Sequence, residues 1–473
     1  MSRSSTGPSP LSAANIQLTT AVAVATLVLL CLTVAPASVR AQRAQPTNAL
    51  DALVQQGIER NLGRRQKDLA VRRAEAAVRQ ARGLYLPSAT VNARYSQVSG
   101  NVVDLGAVVN PALGALNQLL QRPAFPTDLD LKLPQTQETT LRLTQPVFQP
   151  QILEANRIAS AVADAQTAER ASFTRQLAAD IRSGYLNYAK ASRLVALYDS
   201  TLPLLDENLR VSERLVAAGK ATPDAILRAR AERSDVVQKR DEAVQLASAA
   251  RQSLNFLLDR DLASAVTLIP DSLLGFSELP DVDAVTRQAA LAREELRIVD
   301  HAMRISGAQE RAAQATFLPT VALALDYGFQ GNDYRFDSRR DHTIASVVLS
   351  WNVFNGGQDV ARASQASAER RRLEYQRGEL EHLIGLQVRT AWYAAAVAQR
   401  AIATAGDRLE SARRTFELVR RRHEAGSVSQ IEFLDARTTY TSAALNQILT
   451  TYDYYLRRVA LDRAAASYPE DVR

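Results

Sequence analysis

Few residues in this chain have the type and spacing that catalysis or metal binding requires. The four histidines, His301, His342, His382 and His423, lie about forty residues apart, so they form no short metal-binding motif. The single cysteine, Cys31, excludes a disulfide framework, a cysteine-rich zinc site and a cysteine-ligated iron–sulfur cluster. The chain contains no G-x-S-x-G, no phosphate-binding glycine loop and no H-E-x-x-H. The sequence therefore predicts a protein that is not an enzyme, with no catalytic residue, cofactor or metal site.

The chain is basic, but its charges are evenly distributed. Its 57 Lys and Arg only slightly exceed its 50 Asp and Glu, which gives a formal net charge of +7. The longest basic runs, 370–372 and 420–422, are flanked by glutamates, as is typical of solvated helix faces, so we expect no nucleic-acid partner. With 46% hydrophobic residues, and only 19 Gly and 17 Pro among 473 residues, the chain can build a core from long elements.

The N-terminus has the pattern of a secretory signal. Arg3 precedes an uncharged apolar run, Ala21 to Ala35, and Val39-Arg40-Ala41 then supplies small or medium residues at the positions that a signal peptidase reads. We expect a signal peptide at 1–41 that is cleaved after Ala41. The alternative is a membrane anchor, because the 20 residues from Ile16 to Ala35 are nearly enough to cross a bilayer.

The rest of the chain is a tandem repeat. Residues 181–193 match 388–400, and Ala218-Gly219 matches Ala425-Gly426, both at an offset of 207. A repeat of this kind predicts two copies of one structural unit. The expected boundaries are a first repeat at 48–265, a linker at 266–280, a second repeat at 281–467 and a C-terminal tail at 468–473.

Each repeat contains two segments in which apolar and polar residues alternate. The clearest has Val321, Leu323, Leu325, Tyr327 and Phe329 separated by small or polar residues. This period predicts four β-strands in the chain. The pattern fits a membrane-spanning barrel, but on this pattern alone the commoner half-buried sheet of a soluble protein is favoured.

Each repeat also contains a long helical pattern. Apolar residues recur every three or four positions from Ile181 to Val216, and again from Val388 to Val419. Such a heptad spacing predicts helices that supercoil around one another. A helix over 151–217 would have 67 residues and a length of about 100 Å, with a bend at Pro203.

Both long helices are followed by a glycine and then by a second helical pattern. Gly219 and Gly426 are expected to take the left-handed conformation that ends a helix. We expect Thr222 and Ser429 to cap the returning helices, with Pro223 at the first helical position of one of them. Each repeat thus reads as helix, strand pair, long helix, turn and return helix.

This order, duplicated behind a secretory signal, resembles the TolC-like outer membrane efflux protein family. The resemblance covers nearly the whole mature chain, and its strength lies in the order of the motifs and their duplication. The residues that carry it are Tyr85-Leu86-Pro87-Ser88 and Phe317-Leu318-Pro319-Thr320 at strand starts, Gln145-Pro146-Val147-Phe148 and Trp351 to Gly357 at strand-to-helix corners, and Arg422 to Ala436 at the second turn.

The resemblance implies a fold that is mostly α with a small β part. Each protomer would supply long helices to a coiled-coil α-helical barrel and four transmembrane strands to a 12-stranded barrel, completed in a homotrimer. Four strands leave two edges that lipid cannot hydrate, so physical reasoning also requires further copies. The family's partners are outer membrane lipid, a periplasmic adaptor and an inner membrane pump. The chain would then be the passive export conduit of an efflux or type I secretion system, in the outer membrane and extending into the periplasm.

The family also implies roles for residues at the turns. Matched residue by residue, its periplasmic gate acids fall on Glu432 and Asp435, whose i, i+3 spacing places both on one helix face. The first repeat has Ala225 and Arg228 at these places, so only the second hairpin would contribute to the gate. The adaptor-contact candidates are Gly219, Lys220, Ala221, Thr222, Gly426, Ser427, Val428 and Ser429.

Two questions stay open in the sequence. The first repeat has a long insertion, 100–135, which would be an external loop and could contain a short apolar helix or cap the mouth of a channel. The alternative function is that of a soluble periplasmic coiled-coil adaptor or scaffold whose strands form a small sandwich. The exported cargo is not predicted by either alternative.

Overall fold

The structure is a computed structural model that describes residues 49–97, 103–129, 132–133, 137–271, 274, 278–331, 336, 340–425 and 427–468. The predicted signal peptide, 1–41, lies outside these residues, as do Gly426 and the end of the predicted tail, 469–473.

The described chain is mainly helical, and its helices differ greatly in length. Their bounds are α1 Ala49–Arg60, α2 Leu62–Gly83, α3 Gly106–Leu119, α4 Pro150–Ala217, α5 Asp224–Leu257, α6 Val282–Ala292, α7 Glu294–Gln314, α8 Gln358–Glu424 and α9 Gln430–Ala464. A short 3₁₀ turn, Ala315–Phe317, follows α7. The expectation of a mostly α protein is confirmed.

The strands form one main sheet and one small one. Their bounds are β1 Ser88–Tyr95, β2 Val103–Asp104, β3 Lys132–Leu133, β4 Gln137–Phe148, β5 Thr320–Gly331 and β6 Asp341–Ser350. The main sheet has the antiparallel order β1-β4-β5-β6, and β2 pairs with β3 separately. The central pair, β4 and β5, therefore joins residues from the two halves of the sequence.

The two longest helices are those that the heptad pattern predicted. Helix α4 has 68 residues and α8 has 67, so each is about 100 Å long at ~1.5 Å per residue. The predicted continuation of the first helix through Pro203 is confirmed. Helix α4 packs along α5, and α8 packs along α9, so each repeat forms a long antiparallel hairpin.

The main sheet separates apolar from polar side chains. Leu141 of β4 lies opposite Val91 on one side and Tyr327 on the other, which makes an apolar row. Its neighbour Arg142 lies opposite Thr90 and Asp326 and forms an ion pair with Asp326 at 2.7 Å, on the other face. Successive residues of a strand point to opposite faces, so this pattern extends along the sheet. The apolar face is uncovered in the single chain.

The largest core cluster joins the two halves of the sequence. Ile181 and Tyr185 of α4 are fully buried, and Tyr452 and Val459 of α9 pack in the same cluster. The Tyr185 hydroxyl also accepts a hydrogen bond from the backbone N–H of Ile269 at 2.6 Å. The segment between the repeats is thus held against the middle of α4 by both apolar contact and hydrogen bonding.

A buried ion pair lies in the same region. Arg175 Nε of α4 donates to Glu294 Oε1 of α7 at 2.6 Å, and both side chains are at most 2% exposed. Arg175 Nη1 also donates to the carbonyl oxygens of Ala466, at 2.6 Å, and Tyr468. One guanidinium therefore connects α4, the start of α7 and the residues after α9.

A second carboxylate nearby gives a pH-dependent contribution to stability. Glu295 accepts hydrogen bonds from Arg293 Nε and Arg463 Nη2, each at 2.8 Å. Burial disfavours the charged form of Glu295, but the hydrogen bond from Arg293 and the charges of Arg293 and Arg463 outweigh it. They lower the pKa of Glu295 from its ordinary 4.5 to about 2.

The substitution Glu295→Gln is expected to remove part of the acid sensitivity of folding. Because the folded-state pKa is depressed, the ionised carboxyl stabilises the protein above pH 4.5, and this stabilisation is lost as the pH falls towards about 2. After allowance for solvent screening, the contribution is about 1–2 kcal/mol. Urea unfolding at pH 6 and pH 3 measures it, with Glu381→Gln, an exposed ion-pair partner, as control. An equal loss of stability on acidification in the wild type and in Glu295→Gln would contradict this assignment.

Candidate functional site

The two hairpin turns have the same backbone construction. In the first, Lys220 N–H donates to the Leu215 carbonyl at 2.8 Å, and in the second Ser427 N–H donates to the Arg422 carbonyl at 2.9 Å. Each pair lies five residues apart, so both helices end with the same type of backbone hydrogen bond. Gly219 has φ +68, so its predicted conformation is confirmed.

The returning helices begin differently. Ser429 Oγ accepts a hydrogen bond from the backbone N–H of Glu432 at 3.2 Å, so the predicted cap of α9 is confirmed. The expectation for Thr222 is wrong, because α5 begins at Asp224 with Pro223 at its N-cap and no side-chain cap. The Thr222 hydroxyl instead hydrogen-bonds the Asp224 carboxylate, which lowers the pKa of Asp224.

The adaptor-contact candidates lie at these turns with unequal exposure. Gly219, Lys220, Thr222, Ser427 and Ser429 are exposed, whereas Ala221 and Val428 are half-buried. Val428 packs against the apolar cluster between α8 and α9. Gly426 lies outside the described residues.

The two gate candidates project away from the core of their hairpin. Glu432 and Asp435 are both exposed on the first turns of α9, while Phe433 and Ala436 of the same turns are buried against α8. Within the part of the chain that the structure describes, neither carboxylate forms a salt bridge. The arrangement presents two solvated negative charges on one face of the hairpin end.

An aromatic cluster fixes the position of that face. The rings of Phe416 and Tyr440 stack with centroids 5.5 Å apart, and His423 stacks on Phe433 at 4.7 Å. These contacts cross from α8 to α9 within three turns of the hairpin end. Heptad spacing predicted a packed hairpin but not which of its layers are aromatic.

Polar contacts tie α9 to the hairpin of the first repeat. Arg437 of α9 is 2% exposed and forms an ion pair with Glu232 of α5, and Thr438 Oγ1 donates to the same carboxylate at 3.2 Å. Burial lowers the pKa of Arg437 to about 10. Closer to the turn, Gln430 Nε2 donates to Ser212 Oγ of α4 at 2.7 Å.

The sequence contains a signal for this anchor that the motif analysis did not use. Phe433, Arg437 and Tyr440 follow the i, i+4, i+7 spacing of one helix face, and Phe433 is buried there. An arginine in a buried stripe needs a carboxylate partner, because an unpaired buried charge is costly. The partner Glu232 lies in the other repeat, 205 residues earlier, which spacing within α9 cannot indicate.

The described residues offer neither a metal-binding cluster nor an apolar helix of membrane-spanning length. The described residues contain no group of three or more His, Cys, Asp or Glu side chains placed to hold a metal ion. None of the helices in the described ranges is long and apolar enough to cross a membrane.

The second half of the chain is similar to a known family. Residues 285–467, which comprise almost the whole second half, match the outer membrane efflux protein family. The resemblance inferred from the sequence is thereby confirmed for this second half of the chain.

Among curated proteins, two relatives match parts of the chain. The outer membrane protein OprJ of Pseudomonas aeruginosa is 24% identical over 297 residues, which cover 60% of this chain and 59% of OprJ. Protein CyaE of Bordetella pertussis is 30% identical over 152 residues, 31% of each chain. The aligned segments thus span less than two thirds of either relative.

Solved structures match over a larger part of the fold. The outer-membrane channel OprN has a TM-score of 0.73 at 19% identity, with 89% of this chain and 91% of OprN covered. The open state of the MtrE outer membrane channel of Neisseria gonorrhoeae has a TM-score of 0.70 at 18% identity, with 88% of both chains covered. The arrangement of long hairpins and sheet is therefore the fold of these channels.

Proposed function

We propose that this protein is the outer membrane channel of a tripartite efflux or type I secretion system and acts as a passive export conduit. The proposal is supported mainly by one observation: two hairpins, each ~100 Å long, are connected to a sheet whose apolar face is uncovered. The sheet suits the outer membrane, and the hairpins suit the periplasm. The channel relatives favour this function over that of a soluble adaptor.

The side chains of the sheet support a membrane-spanning role. On the apolar face, Val91 is 70% exposed and Val347 is 71% exposed, whereas charged groups such as Arg142 occupy the opposite face. Aromatic residues stand at both ends: Tyr95 at the far end, and Trp351 next to the helices. An apolar band with aromatic borders on one face and polar groups on the other is the pattern of a strand wall between lipid and water.

The edges of the sheet support a homotrimer. Strands β1 and β6 each have one neighbour in the sheet, and unpaired strand edges are not tolerated in lipid. Three copies would bring 12 strands into a closed barrel, the number that the family resemblance implies. The outer faces of the hairpins agree, because Tyr393 and Val397 of α8 and Leu246 of α5 are more than half exposed and would be covered by neighbouring copies.

The hairpin ends are proposed to form the gate and the adaptor-contact surface. In a trimer, Glu432 and Asp435 of three copies would place six carboxylates near one axis. The ion pair of Arg437 with Glu232 would hold that hairpin against the first-repeat hairpin of its own chain in the closed state. The exposed turn residues, Lys220 and Ser427 among them, are the proposed contacts for a periplasmic adaptor bound to an inner membrane pump.

Location and assembly test the proposed function as a whole. The full chain is expected in the outer membrane fraction, and on gels it should migrate as a trimer that heating converts to monomer. Recovery as a soluble monomer after osmotic shock would instead support the adaptor function and reject the channel.

The double substitution Glu432→Ala/Asp435→Ala is expected to raise conductance or lower cation selectivity in planar bilayers. A ring of carboxylates concentrates cations by roughly tenfold or more, so its loss should lower the cation-to-anion permeability ratio by up to about tenfold. The matched control is Asp241→Ala/Glu242→Ala, which removes two exposed acids from α5 instead. Unchanged conductance and selectivity would remove Glu432 and Asp435 from the gate.

A further inference from the structure

The insertion between β1 and β4 contains a helix without a charged residue. Helix α3 has 14 residues, and the whole stretch from Leu105 to Gln121 carries no Asp, Glu, Lys or Arg. At ~1.5 Å per residue the helix is about 21 Å long. In the second repeat β5 ends at Gly331 and β6 begins at Asp341, so the sequence between them is too short for a helix of this length.

Small and polar residues hold α3 against its own chain. The Asn110 side chain donates to the Leu129 carbonyl and accepts from the Leu129 N–H, both at 3.0 Å. The Asn117 side chain accepts from the N–H groups of Ala124 and Phe125 at 2.9 and 2.8 Å. A side chain at Gly106 would collide with the Leu129 carbonyl. The face of α3 that packs on the chain is thus its less apolar face.

The opposite face of α3 is aliphatic and exposed. Val108 is 73% exposed and Leu119 is 81% exposed. At 100° per residue the outward aliphatic side chains occupy an arc of roughly 140°. Its members are Val108, Val109, Ala112, Ala115, Leu116, Leu119 and Leu120. A surface helix normally buries its apolar side and exposes its polar side, so α3 has the reverse arrangement and its aliphatic face requires an apolar partner.

Chain order places α3 at the end of the sheet that is remote from the long hairpins. Strand β1 leads away from α2 and ends at Tyr95, and β4 leads back to α4. Tyr95, at that remote end, is 69% exposed. If the sheet spans the membrane, as the proposed function requires, then α3 follows β1 by about ten residues and emerges near the outer boundary of the lipid.

We propose that α3 lies flat in the outer leaflet of the membrane, with its aliphatic face among the acyl chains. This inference rests on the proposed function, and the partner that covers the aliphatic face of α3 is lipid. The outward arc is aliphatic throughout and has no polar group to direct a protein partner, and the exposed Arg122 just after the helix suits anionic headgroups. The helix would widen the apolar girdle of the protein at its outer rim.

The test uses single cysteines in the full mature chain, whose natural cysteine lies in the predicted signal peptide. Leu119→Cys reports on the aliphatic face, the adjacent Gln118→Cys lies outside the aliphatic arc as a matched control, and Val347→Cys lies on the apolar face of the sheet. Each variant carries a nitrobenzoxadiazole label. The trimers are reconstituted in phosphatidylcholine–phosphatidylglycerol vesicles that contain doxyl lipid, and gel migration verifies their assembly.

Quenching of the Leu119→Cys label by doxyl lipid is expected to be at least about twofold stronger than that of Gln118→Cys, with little quenching by aqueous iodide. Strong iodide quenching would show α3 in water and overturn the inference. A Leu119→Cys label shielded from both quenchers would show that another copy covers the helix, which also overturns it. If doxyl lipid quenches the Val347→Cys label but not the Leu119→Cys label, the inference is refuted and the proposed channel function is unaffected. Absence of lipid quenching at Val347→Cys would refute the membrane placement of the sheet itself, and the inference with it.

Discussion

The substitution Glu294→Ala is expected to destabilise the folded protein by about 3–5 kcal/mol, because it removes one partner of a buried ion pair. The side chains of Arg175 and Glu294 are 2% and 0% exposed, so water cannot replace the lost carboxylate. Arg175 would keep its bonds to the carbonyls of Ala466 and Tyr468, but these neutral acceptors do not replace the charge of the Glu294 carboxylate. Three segments that are far apart in sequence would lose a shared anchor.

Urea unfolding followed by tryptophan fluorescence measures this effect. Trp392 packs against the same cluster as Leu296, two residues after Glu294, so it reports on the region directly. The control is Asp283→Asn, which removes the exposed pair with Arg389 at 2.7 Å and should cost about 0–1 kcal/mol. If both variants lose the same small amount of stability, the buried pair is not the anchor described here.

Substitution Glu232→Gln is expected to release the proposed gate end of the second hairpin. It leaves the buried Arg437 uncompensated at a cost of about 2–4 kcal/mol, less than a fully buried pair because Glu232 is 21% exposed. This cost destabilises the closed arrangement, in which α9 contacts α5 through this pair. A difference of this size changes an equilibrium by roughly tenfold or more, so the open fraction and the mean conductance should rise.

The repeat supplies a matched control for this variant. Arg230 is the counterpart of Arg437 at the offset of 207, and it pairs with Glu213 at 3.3 Å with both side chains about half exposed. Glu213→Gln is therefore expected to change stability by only about 0–1 kcal/mol and to leave conductance unaltered. Amide hydrogen exchange over 430–440 gives a second measurement, and protection there should fall in Glu232→Gln alone. Equal exchange and conductance in the two variants would argue against the anchor.

The regular features of the fold were predictable because they repeat along the chain. The heptad spacing around Ile181 predicted a helix over 151–217, and the structure has Pro150–Ala217. Alternation from Val321 to Phe329 likewise predicted β5, Thr320–Gly331. When one face of an element is buried, apolar residues recur along its sequence with the period of that element. Such elements can therefore be predicted without knowledge of the elements they pack against.

Single polar contacts between distant segments were not predictable in the same way. Arg175 and Arg437 each lie in a helix that the periodicity identified, but their partners Glu294 and Glu232 come from other elements. Many arginines and glutamates in this sequence are solvated, and nothing local separates a buried pair from them. At Thr222 the local signal was present but the predicted contact was not. Thr222 is of a residue type that caps helices, yet its hydroxyl hydrogen-bonds the Asp224 side chain instead of a backbone N–H at the start of α5.

The pairing of β4 with β5 has a consequence for biogenesis. Arg142 and Asp326 face each other across that pair although 184 residues separate them in sequence. A nascent chain that has delivered only its first half can form the β1–β4 ribbon but not the middle of the sheet. Closing so long a loop is slow, and the ribbon meanwhile exposes both an apolar surface and open edges. We therefore expect the newly exported chain to depend on a chaperone until its C-terminal half has arrived.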